Sequence, residues 1–181
     1  MKYDVVIIGG GLAGVTAGIR LQKAGRKCCI VSGGLSLNEV PRQEFIAMGG
    51  TFLTGGRVLG GVWKGDVLES LVVSNLEGTG LCADNYILAT GKFFSKGLVA
   101  TMDNIYEPLF GCDVDFERDR SKWYDPDFFA PQPFEKFGVK TLDGRVLRDG
   151  VPMKNLYAAG EILAGDVDIV NSALDICSRI I

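Results

Sequence analysis

The sequence predicts a three-layer α/β fold: helices packed on a mainly parallel sheet, with a small antiparallel β-meander at about residues 51–83. Three observations predict it. Buried-strand patterns recur at residues 3–8, 27–31, 86–89 and 156–159. Helical spacing fills residues 12–24 and 168–181. A period of two takes over from Thr51. At 181 residues the chain reads as one domain.

Residues 3–8 form the first strand because Val5, Val6, Ile7 and Ile8 are a continuous β-branched run. Gly9-Gly10-Gly11-Leu12-Ala13-Gly14 follows at once, and Val15, Ile19 and Leu21 then keep a helical spacing. Gly25 ends that helix as a C′ glycine would. Between a strand and a helix, with a second strand at residues 27–31, this glycine pattern is the signature of a Rossmann-like fold that binds FAD or NAD(P). Gly9 serves the tight turn, Gly11 leaves room for a phosphate against the backbone, and Gly14 lets the helix lie close to the strand. The helix start at Leu12 and Ala13 offers free N–H groups and roughly half a positive charge to an anion. The alternative is a glycine-rich turn with no ligand.

An acid about 20 residues after the glycines ordinarily binds the adenosine ribose. Ser32 stands there instead. It exchanges hydrogen bonds but cannot replace a carboxylate, and no arginine follows immediately to take a 2′-phosphate. NAD is disfavoured, and a cofactor that lacks the adenosine or is held differently is favoured.

A short helix is expected at residues 41–48, stopped by Gly49-Gly50. Residues 51–53, 57–64, 67–74 and 81–83 read as short strands, with Lys64-Gly65-Asp66 as a hairpin turn. The strand at residues 86–89 ends in Thr90-Gly91, where backbone can come close to a cofactor; the plain alternative is a turn glycine. Residues 105–137 are dense in aromatics and carry Pro126, Pro131 and Pro133, which makes them poor helix and poor central strand. They read either as a binding or contact segment or as an ordered loop plugging the core edge. The last strand ends in Gly160-Glu161, and the final helix has Ile169, Ala173, Ile176, Cys177 and Ile180 on one stripe. In the common flavoprotein arrangement such an acid hydrogen-bonds the ribityl chain and the next helix start faces the flavin; otherwise Glu161 is an exposed loop carboxylate.

Composition removes several function classes. There is no histidine, so Ser-His-Asp and Cys-His catalysis and the usual zinc and iron sites are excluded; no metal site and no catalytic residue is assigned. The five cysteines lack a C-x-x-C and read as buried hydrophobes, with Cys28 and Cys29 on opposite faces of one strand. A net charge of −3 gives no nucleic-acid footprint. The uncharged run at residues 5–19 carries five glycines and is too short to span a bilayer, and a cytosolic chain is expected.

Residues 1–32 and 49–165 resemble the B-subunit family of anaerobic glycerol-3-phosphate dehydrogenase. The shared stretches are the segment from Asp4 through Gly14, Gly91-Lys92-Phe93-Phe94-Ser95-Lys96-Gly97-Leu98, Tyr106-Glu107-Pro108, Asp127-Phe128-Phe129-Ala130-Pro131-Gln132-Pro133-Phe134 and Asn155-Leu156-Tyr157-Ala158-Ala159-Gly160. The resemblance implies a flavin-dependent oxidoreductase subunit acting with partner subunits. That system oxidises glycerol 3-phosphate to dihydroxyacetone phosphate, passes electrons to quinone, and lies peripheral to the inner membrane through a partner. It implies FMN for this subunit, in keeping with Ser32, with FAD as the alternative. Gly9, Gly11, Leu12, Ala13 and Gly14 would face the phosphate, and Ser32, Gly91, Gly160 and Glu161 the rest of the cofactor. Lys92 and Lys96 are candidates for an anionic group.

Two departures stand out. Family members are much longer, with an insertion between about Ser32 and Gly49 that is largely absent here. Their glycine-rich start of the last helix is replaced by Asp168-Ile169-Val170-Asn171-Ser172-Ala173, whose bulk would narrow a flavin site. Two other functions therefore stay open: a non-catalytic assembly subunit with a degenerate flavin site, and a small NAD(P)-dependent reductase.

Overall fold

A computed structural model describes residues 2–34, 39–76 and 78–181. In chain order the elements are β1 (Lys2–Ile8), α1 (Leu12–Lys23), β2 (Cys28–Ser32), α2 (Glu39–Ala47), β3 (Thr51–Thr54), β4 (Val58–Lys64), β5 (Val67–Val73), β6 (Cys82–Leu88), β7 (Val99–Ala100), β8 (Ile105–Tyr106), β9 (Val114–Asp115), β10 (Gly138–Val139), β11 (Thr141–Leu142), β12 (Arg145–Arg148), β13 (Val151–Ala158) and α3 (Ile169–Ile180). The main sheet has the order β11-β12-β13-β6-β1-β2-β3. From β13 to β3 it is parallel, and β11–β12 adds an antiparallel edge.

The pleat sorts side chains onto two faces. Val5 and Ile7 of β1, Cys28 and Ile30 of β2, Ile87 of β6 and Tyr157 of β13 pack with α1, α2 and α3. Their sequence neighbours Val6, Ile8, Cys29, Val31, Tyr86, Leu88, Leu156 and Ala158 face a second core under β4, β5 and the aromatic segment. Each fully buried Val or Ile contributes about 1.5–3 kcal/mol. The β-branched run at β1 therefore holds the centre of the sheet from both sides. Cys28 and Cys29 do point to opposite faces, and burial pushes both thiols up to about 12.

α1 ends as its sequence predicts. Gly25 takes a φ of +77°, its N–H reaches the Gln22 carbonyl, and Arg26 N–H reaches that of Leu21. This pairing closes the helix in a Schellman turn.

Two strands behave differently from their local pattern. Thr51–Thr54, read from sequence with the strands after it, runs parallel to β2 at the sheet edge, Cys29 opposite Thr51 and Ser32 opposite Thr54. The antiparallel unit is the β4–β5 hairpin, extended by a bridge between Leu71 and Leu81. Residues 81–83 and 86–89, read as separate strands, belong to the single strand β6 and its two ends. Asp84 does not interrupt it, because its side chain points to solvent and pairs with Lys2. Tyr86 ties the layers together: its hydroxyl donates to the Glu69 carbonyl and accepts from Ala83 N–H. Asn155 does the same from β13, bonding both the N–H and the carbonyl of Leu68.

The aromatic segment is buried in part and exposed in part. Ile105, Phe110, Trp123 and Phe137 are buried, and Phe116, Trp123 and Phe137 meet edge-on. Tyr124, Phe128 and Phe129 are exposed. Glu107 is buried, and its carboxylate accepts from the N–H groups of Leu109, Phe110 and Cys112. It replaces a missing strand partner for that turn. Among the described residues no helix is long and apolar enough to cross a membrane.

Candidate functional site

A cavity of about 720 Å³ lies across the carboxyl ends of β2, β1 and β6 and reaches Glu161 beyond β13. In an open α/β sheet this edge, where connections leave the central strand in opposite directions, is where ligands bind. Backbone bonds lock the strand ends to one another. Gly9 N–H donates to the Val31 carbonyl, Ala89 N–H to that of Ile8, and Ala159 N–H to that of Leu88. The floor of the cavity is therefore rigid main chain.

Of the residues singled out from sequence, Gly9, Gly11, Leu12, Ala13, Ser32, Gly91 and Glu161 line this one cavity. Gly9 turns at a φ of +116° and packs so tightly that a Cβ would strike the Ala89 carbonyl. A Cβ at Gly11 would meet nothing within 4 Å, so the space above the helix start is open. Gly14 and Gly160 stand behind the wall. A Cβ on Gly14 would collide with the Gly9 carbonyl, and one on Gly160 would press on Ala13. Their smallness brings helix and strand ends together, and neither lines the cavity.

The start of α1 is electrostatically bare. Gly11 is its N-cap, no side chain caps it, and its first turn contains no acid. Its first N–H groups have no partner within the helix and carry roughly half a positive charge toward the cavity. Glu161 is the single carboxylate among the described lining residues, and Oε2 comes within 3.7 Å of where a Gly91 Cβ would lie. The residues present thus fit a cofactor with an anionic centre and a hydroxylated arm: bare amides in the middle, a carboxylate acceptor on one flank.

Ser32 lines the cavity, but its hydroxyl donates to the Gly34 carbonyl at 3.2 Å, closing its own turn. Lys96 lines the cavity and Lys92 does not. Lys92 donates to the Glu135 carbonyl instead. Burial lowers its pKa, against the raising effect of Glu161, Glu135 and Asp166. Ile169 does enter the wall, whereas Val170 is not part of it. The bulk at the start of α3 narrows the cavity at one residue and leaves it open.

Sequence reading missed Arg57, Phe94, Ser95 and Leu109, all of which line the cavity. Arg57 begins the β4 strand region and carries no local signal. Folding brings it beside Gly33, at the β2 end where sequence alone shows no cation. Phe94 and Ser95 sit in the family-like Lys92–Leu98 stretch, which was a usable signal. Leu109 is placed by the buried Glu107 carboxylate.

Comparison with known proteins agrees with this geometry. The family described as FAD binding domain matches residues 4–62 and 51–173. The chain is 42% identical over 134 residues to the B subunit of anaerobic glycerol-3-phosphate dehydrogenase from Actinobacillus succinogenes, covering 71% of this chain and 31% of that one. It is 39% identical over 145 residues to the protein of the same name from Aliivibrio fischeri, covering 73% of this chain and 32% of that one. The chain thus spans about a third of the length of these curated relatives. Two solved structures share the fold across nearly the whole chain. A thioredoxin reductase from Gloeobacter violaceus has a TM-score of 0.59 at 12% identity, covering 99% of this chain and 93% of its own. An oxidoreductase from Agrobacterium tumefaciens has a TM-score of 0.58 at 13% identity, covering 99% and 97%.

Proposed function

From the premise that this chain belongs to the FAD-binding domain family, we propose that it holds a flavin as an oxidoreductase subunit of the anaerobic glycerol-3-phosphate dehydrogenase type. One observation carries the reading: an uncapped helix start opening into a cavity that runs along the carboxyl edge of the sheet. Gly11, Leu12 and Ala13 present amides to the phosphate. Glu161 accepts hydrogen bonds from hydroxyls on the flank shared with Gly91. A bound flavin supplies two-electron oxidation of an alcohol such as glycerol 3-phosphate, and the protein supplies placement and electrostatics. Transfer onward to quinone, partner subunits and a peripheral place at the inner membrane belong to the same proposal.

The flavin we propose is FAD. The cavity extends past α1 to both flanks, with Ser32 and Arg57 on one and Glu161 and Gly91 on the other, so an extended dinucleotide uses its full length. FMN is the second reading, favoured by the absence of a ribose-binding carboxylate at Ser32. A scaffold role requires that the cavity hold no flavin at all.

The test is the absorption spectrum of the purified chain, identification of any released chromophore, and melting with added FAD or FMN. At a ligand concentration 100 times Kd, stabilisation is about 2.7 kcal/mol. For a chain of this size that is a rise of about 5–10 °C. A colourless protein whose melting temperature ignores both flavins sinks the reading and leaves the scaffold; oxidation of NADPH or NADH by flavin-free protein with reduction of a simple added acceptor would instead establish a nicotinamide-dependent reductase.

A further inference from the structure

Resting on the partner-subunit part of that reading, we propose that Phe128 and Phe129 form a prefolded knuckle on which a companion subunit docks, through an apolar socket rimmed by basic side chains. The two side chains are 86% and 93% exposed, and their rings meet edge-on at 5.7 Å. Scattered apolar side chains on a surface are ordinary, but two aromatic rings held together on one loop mark a contact site. The loop is fixed without any partner. Asp125 Oδ1 accepts from Asp127 N–H at 2.8 Å, and Asp127 Oδ1 accepts from Phe129 N–H at 3.0 Å. Gln132 ties its two ends: Oε1 accepts from Asp125 N–H at 2.9 Å, and Nε2 donates to the carbonyls of Asp127 and Ala130, each at 3.0 Å. Pro126, Pro131 and Pro133 restrict φ at three further positions. Docking on such a loop costs little ordering entropy.

The base of the knuckle adjoins the cavity wall. The Phe134 ring lies 6.2 Å from that of Phe93 and 5.3 Å from that of Tyr124, and the Glu135 carbonyl accepts from Lys92 Nζ. Lys92 and Phe93 open the stretch whose Phe94, Ser95 and Lys96 line the cavity. A subunit seated on the knuckle is therefore placed beside the cofactor site, where a subunit exchanging electrons with it has to be. Charge selects among occupants. Asp125 and Asp127 flank the rings in the chain, and neither forms an ion pair among the described residues. An anionic lipid surface is repelled, and so is a second copy, which brings the same two acids and a net charge of −3. A socket edged with lysine or arginine accommodates both the rings and the acids.

The probe is the companion dehydrogenase subunits of the same organism, purified without this chain. Their binding to the full chain is followed by interferometry for the wild type, the double variant Phe128→Ala with Phe129→Ala, and the double variant Asp125→Asn with Asp127→Asn. Circular dichroism and the melting shift on adding flavin check that fold and cavity survive in each. Loss of the two rings is expected to weaken companion binding about 100-fold and to leave the flavin shift unchanged. Asparagine keeps the oxygen that accepts from the loop amides, so only charge is lost; association at low salt should slow about threefold with dissociation unchanged. Companion binding that ignores the loss of both rings overturns the docking site and leaves the flavin reading standing. So does a wild type that dimerises, or binds phosphatidylcholine vesicles, only while the two rings are present, because the occupant is then a second copy or a lipid surface. A wild type that takes up flavin but no companion overturns the docking site and the partner-subunit reading together. Companion binding that is lost with the rings in a chain that takes up no flavin supports the docking site and sinks the flavin reading alone.

Discussion

α1 and α3 both begin beside the cavity, and each would point the positive end of a helix toward a ligand there. α1 begins at Gly11 with no side-chain cap and no acid in its first turn. α3 begins at Asp168, whose carboxylate accepts from both the backbone and side-chain amides of Asn171 at 2.9 and 3.0 Å. Its Ser172 hydroxyl is also occupied, accepting from Gly160 N–H and donating to the Ile169 carbonyl. One helix start carries no side-chain cap; the other is capped by the protein itself. A helix N-terminus keeps free N–H groups for an outside acceptor where the chain withholds its own cap.

The sharpest way to break this contrast is to give α1 the cap that α3 has. Gly11→Asp places a carboxylate over Leu12 and Ala13 in space that is otherwise open. It should lower flavin affinity at least about 100-fold, about 2.7 kcal/mol. Melting temperature of the ligand-free protein should stay constant or rise slightly, since Asp is a good N-cap. Flavin titration by fluorescence quenching alongside thermal melting checks both halves. Undiminished affinity would show that the anion does not sit at this helix.

Gly14→Ala attacks the scaffold under the same site. Its methyl would run into the Gly9 carbonyl, so urea unfolding should show a loss of about 1–3 kcal/mol, typical of overpacking. Unchanged stability would mean that α1 can lift away from β1 freely. Asp168→Ala uncaps α3 and should cost about 1 kcal/mol, lowering the melting temperature by about 2–4 °C. Flavin affinity should move by less than about threefold. A collapse of affinity there would mean that the start of α3 belongs to the site after all. The smallest effect is expected from Glu161→Gln, between the two helices. An amide still accepts hydrogen bonds but less strongly, so affinity should fall about threefold, about 0.6 kcal/mol. A hundredfold loss would make Glu161 the principal anchor.

The comparison also explains what could be read without coordinates. The β1–α1–β2 unit was legible because every feature in it is local. A β-branched run makes the strand, Gly9 the turn, and Gly25 the helix end. α3 was legible for the same reason, from the spacing of Ala173, Ile176 and Cys177, all of which are buried. The uncapped helix start at Gly11 was legible too, because no residue there has a side chain able to cap it.

Partnership between distant segments was a different matter. Nothing in the immediate sequence of Thr51–Thr54 tells whether it pairs with the hairpin after it or with β2, because the alternation is the same and only the packed edge chooses. Asp84 and Asn85 look like a break, yet β6 continues through them because β1 lies alongside. Arg57 illustrates the limit at the site itself. Local residues around Ser32 show a missing acid and no compensating charge; the cation arrives from the far side of α2 and β3, set by the Gly33 contact and the Ser74 bonds. Backbone propensity and capping act over a few residues and can be inferred from the chain. Which charge faces which end of a cavity depends on how separate strands are stacked, and that is settled by burial of side chains far apart in the sequence.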